Sequence, residues 1–104
     1  MNISIDFDDT YTRDPQLWND FIHIAQAAGH KIYCVTARGE SFPDEVTEVL
    51  DTIGKLISPH NCVFTDGKQK RQFCLNKNIH ISVWIDDMPE AIPGETKNLF
   101  GYYS

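Results

Sequence analysis

Two aspartates, Asp6 and Asp8, stand two residues apart at the end of an apolar run, Ile3-Ser4-Ile5-Asp6-Phe7. In extended backbone that spacing sends both carboxylates to one side. A second acidic pair, Asp86-Asp87, closes another apolar run, Ile81 to Ile85. Acids converging from two strands cannot all stay ionised unaided, and a divalent cation resolves the repulsion. Ligands that are all oxygen favour Mg²⁺ over zinc. Thr36 and Arg38 follow a third apolar run, Lys31 to Val35, while Lys68 and Lys70 come just after a fourth, Cys62 to Thr65. A hydroxyl, a guanidinium and an ammonium beside acids and a metal would suit a tetrahedral anion.

These residues need elements that bring them to one place. Apolar runs alternate with amphipathic ones throughout the 104 residues, with no repeats or low-complexity tracts. The segment 15–28 is predicted to be helical, with Asp14 as N-cap, Pro15 at the first position and Gly29 as the stop. Its expected buried stripe is Leu17, Phe21, Ile24 and Ala28. A second helix is predicted from Pro43 to Ile53, ended by Gly54, with Val46, Val49, Leu50 and Ile53 inward. Asp66 and Gln69 resemble a capping box opening a third helix that runs to about Asn76. The strands are expected at Ile3–Phe7, Lys31–Thr36, Cys62–Thr65 and Ile81–Ile85, with a short fifth near Leu99–Tyr102.

Strand–helix alternation with apolar strands predicts a three-layer, Rossmann-like α/β fold around a parallel sheet, strand order 3-2-1-4-5, in a single domain of residues 1–104. Such sheets bind ligands beyond the carboxyl ends of their strands, where the strand order switches. The polar residues above all fall at those ends.

Asp6-x-Asp8-x-Thr10, the strand ending in Thr36, the lysine, and Asp86-Asp87 resemble, in order, the four motifs of the haloacid dehalogenase (HAD) superfamily. The resemblance covers residues 3–89. It implies a Mg²⁺-dependent phosphohydrolase acting on phosphate monoesters through an aspartyl-phosphate. Asp6 would be the nucleophile and Asp8 the general acid, then base. Thr36 and Lys70 would bind the phosphoryl group, with Lys68 the alternative lysine. Asp6, the Asp8 backbone carbonyl and the pair Asp86 and Asp87 would hold Mg²⁺, Asp87 directly, with Asp86 bonded to Lys70 or to metal-bound water. Arg38 stands where some phosphatase branches bind substrate. Because Asp8 is present, phosphoryl chemistry is favoured over dehalogenation. One position departs from the pattern: Asp9 stands where glycine is common. Neither usual insertion point has room for a cap domain, so the site is expected to be open, on a small or macromolecular phosphorylated substrate. Nucleic acid would enter only as substrate, and the chain is expected to be a monomer or a homo-oligomer.

Composition narrows the alternatives. Hydrophobic content of 41% and charge of 23% mark a globular chain. The net charge of −6 argues against a broad nucleic-acid-binding face. No signal peptide or membrane span is apparent, and three cysteines without metal spacing suit a reducing cytoplasm. A receiver-like phosphoacceptor shares the residue types, but it carries its acidic pair on the first strand and its phosphorylated aspartate on the third. A catalytically quiet binding module of the same fold is the other alternative.

Overall fold

The computed structural model describes residues 1–93. Four strands form one parallel sheet: β1 (Asn2–Ile5), β2 (Lys31–Thr36), β3 (Cys62–Phe64) and β4 (Val83–Ile85). Their order is β3-β2-β1-β4. The expected fifth strand lies outside the described residues. Alternate side chains along each strand go to opposite faces. Ile3, Ile5, Ile32, Cys34 and Phe64 join one core with Phe7, Ile22, Val49 and Ile53, whereas Tyr33, Val35 and Val63 join a second with Cys74, Phe73 and Trp84. The helices α1 (Pro15–Ala27), α2 (Pro43–Leu50) and α3 (Ile53–Ile57) cover the first face, and α4 (Lys70–Asn76) covers the second. This is the arrangement right-handed crossovers require. Two steps, β1 to β2 and β2 to β3, move one way across the sheet, and the step to β4 moves back, so its helix lies on the opposite face.

α1 begins and ends as its sequence predicts. Asp14 accepts a hydrogen bond from the Leu17 backbone N–H at 3.2 Å, and Gly29 has φ 93°. Its buried face differs from the expected one. Ile22 and Ala25 are buried and Trp18 and Phe21 pack against the core, while Leu17 and Ile24 are 52% and 70% exposed. Two neighbouring stripes of this helix are apolar, and contact with β2 and α3 selects the one containing Trp18, Ile22 and Ala25.

The helix expected from Pro43 to Ile53 is two helices. The Thr52 hydroxyl donates to the carbonyls of Glu48 (2.6 Å) and Val49, and the backbone of Thr52 leaves helical geometry. A hydroxyl that takes up helix carbonyls competes with helix continuation. Gly54 therefore does not end a helix. It is buried inside α3, where a Cβ would come within 3.1 Å of the Val49 carbonyl oxygen. Asp66 does not cap α4 either. With Gly67 it forms a left-handed turn, φ 55° and 77°, whose N–H groups donate to the carbonyls of Arg38 and Ala37. Loops after β2 and β3 are thus zipped together before α4 starts at Lys70. No helix among the described residues is long and apolar enough to cross a membrane. Cys34 and Cys62 are register partners on β2 and β3 and are unbonded.

Between β1 and α1 the chain makes a wide turn, Phe7–Tyr11. Its bonds span five residues: Tyr11 N–H to the Asp6 carbonyl and Thr12 N–H to the Phe7 carbonyl, both 3.1 Å. Asp9 reverses the backbone with φ 65° and ψ 1°, a left-handed conformation natural to glycine and tolerated by Asp and Asn. Asp9→Gly is expected to leave unfolding free energy within about 1 kcal/mol of wild type, and Asp9→Val to cost about 1–2 kcal/mol. Urea denaturation of both variants reads the difference.

Candidate active site at the carboxyl edge of the sheet

β1 is the strand at which the order switches, since β2 lies on one side of it and β4 on the other. The Asp6 N–H continues that pairing, donating to the Ile85 carbonyl at 2.9 Å. Asp6 and Asp86 therefore leave adjacent strands at the same level. Lys70, the first residue of α4, is buried and reaches both of them. Its Nζ lies 2.8 Å from Asp6 Oδ1 and 2.5 Å from Asp86 Oδ2. Lys68 is exposed, so of the two candidate lysines Lys70 is the one at the carboxylates.

The acids are individually held. Asp86 Oδ1 accepts from the Met88 N–H at 2.9 Å. The Thr10 hydroxyl accepts from the Asp87 N–H and can donate to Asp87 Oδ1, both at 3.2 Å, or to Asp6 Oδ2 at 3.4 Å. Thr10 thus links the two acidic strand ends. Its position four residues after Asp6 was visible in the sequence, but only the wide turn brings its hydroxyl back to Asp6. One oxygen each from Asp6, Asp86 and Asp87 lies within 4.8 Å of the others. Three carboxylates and one ammonium give this cluster a charge of −2 when all are ionised. An all-oxygen set with uncompensated negative charge fits a hard divalent cation. A cavity of about 120 Å³ opens onto these residues, with Asp8, Asp9, Ala37, Met88 and Ala91 in its wall.

Asp8 is placed differently. Its carboxylate is 55% exposed and held by Arg38 in a two-bond fork, Nε to Oδ2 at 3.0 Å and Nη2 to Oδ1 at 2.8 Å. The remaining guanidinium donor, Nη1, serves Glu48 Oε1 (2.9 Å) and the Glu45 carbonyl (2.8 Å), and the group lies 4.8 Å from the centre of the Phe7 ring. The hydrogen bonds it donates to Asp8 are the main reason the Arg38 pKa rises further above its ordinary value. Arg38 is therefore occupied by protein groups and is not in the wall of the small cavity. Glu48, which shares it, carried no signal in the sequence beyond being one acid on an exposed helix face. Thr36 is fully buried. Its hydroxyl accepts from the Arg38 N–H at 3.3 Å and its carbonyl accepts from Thr65, and Ala37 rather than Thr36 lines the cavity.

Burial pushes the Asp6 pKa up to about 6, because desolvation outweighs the lowering effect of Lys70. Burial also opposes the Lys70 ammonium, but its bonds to Asp6 and Asp86 more than offset this and raise its pKa. A carboxyl whose pKa is higher folded than unfolded lends stability below its unfolded pKa, and that stability is lost as pH rises through the folded value. Relative to Asp6→Asn, the metal-free wild type is expected to lose stability as pH rises from 3.8 to about 6. Urea unfolding of both proteins in EDTA across that window measures the divergence. Parallel curves would show that Asp6 ionises without cost in the folded chain.

No family model matches this chain, and no curated protein and no solved structure is similar enough to it to count as a match.

Proposed function

We propose that this chain is a Mg²⁺-dependent phosphohydrolase of the capless HAD type, cleaving phosphate monoesters through a phosphorylated Asp6. The observation that carries the reading is the buried Lys70 ammonium between Asp6 at the end of the switch strand and Asp86 after β4, with Asp87 beside them. The described strand order, β3-β2-β1-β4, is compatible with the five-stranded 3-2-1-4-5 core of that superfamily. Only three residues separate the turn after β1 from α1, which leaves the cavity uncovered from that side.

In this reading the Asp6 carboxylate attacks phosphorus as the bond to the ester oxygen breaks. Asp8 gives that oxygen its proton, and the alcohol leaves. Water then adds to phosphorus, the bond to Asp6 breaks, and Asp8 takes the proton from water. Lys70 offsets the charge that gathers on Asp6 and on the phosphoryl oxygens. Mg²⁺ held by Asp6, the Asp8 backbone carbonyl and Asp86 or Asp87 would supply the positive charge that lets a phosphate dianion approach these acids. Asp8 lines the same cavity as Asp6 while its carboxylate is forked by Arg38, and in this reading it exchanges that fork for the ester oxygen. Arg38 would contribute by holding Asp8 and not, in that position, by binding substrate directly.

Phosphate release with Mg²⁺ is expected from the wild type, to stop with EDTA, and to fall by at least about a thousandfold in Asp6→Asn, as for loss of a covalent nucleophile. A phosphate-release assay across nucleotides, sugar phosphates and 3′-phosphorylated oligonucleotides reads all three. Full activity in Asp6→Asn would end the mechanism.

A further inference from the structure

Beside the small cavity lies a larger hollow of about 320 Å³. The two share Asp9, Asp86 and Asp87 in their walls, so they lie side by side along those three carboxylates. Its volume falls at the lower end of small-molecule sites, roughly 300–1,000 Å³.

Part of the hollow's lining is chemically distinct from these acids. Leu17, Trp18 and Ile85 give it an apolar surface. Leu17 is the residue that the packing of α1 leaves out of the core, 52% exposed. Trp18 is half-buried and braced edge-on by Phe21, ring centres 5.9 Å apart. Arg13 stands in the same wall, and its guanidinium forms no hydrogen bond or ion pair with any described residue. Arg38, by contrast, spends its fork on Asp8 and Glu48. An apolar shelf with one free planar donor suits a flat aromatic ring that carries hydrogen-bond acceptors. The carboxylates between shelf and cavity suit hydroxyl groups, which donate to them, and repel a second phosphate. A ring with acceptors, joined through a hydroxylated linker to one phosphate, is a nucleoside monophosphate.

We propose that this hollow is the leaving-group subsite and that the substrates are nucleoside monophosphates, an inference that rests on the phosphohydrolase reading for the chemistry but not for the binding. Two measurements separate them. The first compares kcat/KM for adenosine 5′-monophosphate with that for ribose 5-phosphate, which has the same alcohol and lacks the ring. The wild type is expected to favour the nucleotide by about tenfold or more, and Leu17→Ser or Arg13→Gln to cut that ratio about tenfold, mostly through KM. The second is calorimetric binding of adenosine alone to Asp6→Asn, with and without those substitutions. Leu17 and Arg13 are both exposed, so either variant is expected to fold. Adenosine binding that weakens in both variants supports the subsite even if no hydrolysis is seen. A ratio near one in the wild type, no adenosine binding, or binding indifferent to both substitutions overturns it. Adenosine binding together with full activity in Asp6→Asn would keep the subsite and remove the mechanism.

Discussion

An ammonium ion taken out of water costs several kcal/mol unless anions meet it, and Lys70 is buried at the very start of a helix. Asp6 and Asp86 meet it, one from the switch strand and one from its neighbour. Much else follows from that contact. β1 and β4 must be adjacent and in register, which the pairing of Ile5 with Ile85 supplies. α4 must start at the carboxyl edge of the sheet, which the Asp66–Gly67 turn secures by bonding back to Ala37 and Arg38. Three acids around one cation still leave negative charge in excess, an arrangement that could hold a further cation.

The wide turn after β1 is the second device on which the site depends. It returns Thr10 to Asp6 and Asp87, and it sends Asp8 outward to Arg38. The two aspartates of the first motif thus occupy different environments although they are two residues apart. Asp6 is buried against a lysine, and Asp8 is exposed and forked by an arginine.

Much of this architecture was legible beforehand. Alternating runs announced a parallel α/β sheet, and Asp14, Pro15 and Gly29 marked the ends of α1. The acidic strand ends and the lysine pointed to one edge. Other features were not legible. Leu17 and Ile24 read as core and are exposed, because α1 has two apolar stripes and only its neighbours choose between them. Thr52 reads as an ordinary helix residue until its hydroxyl is seen on the Glu48 carbonyl. Asp66 reads as a cap, yet its backbone is left-handed and tied to the preceding strand's loop.

Residue chemistry and local periodicity are properties of short stretches of chain, so the sequence by itself pointed to the alternation of strands and helices, to a parallel sheet, and to Asp6, Asp8, Thr36, Arg38, Lys68 or Lys70, Asp86 and Asp87 as candidates. Which oxygen meets which nitrogen depends on residues 64 or 77 positions apart, as for the Lys70 ammonium with Asp6 and the Asp87 N–H with the Thr10 hydroxyl. Only the tertiary structure decided that Asp8 and Glu48 share Arg38, that Thr36 turns its hydroxyl to the backbone, and that Trp18 and Leu17 divide α1 between core and surface. Those outcomes are competitions between distant groups for the same donors and the same space, and no local pattern records who wins.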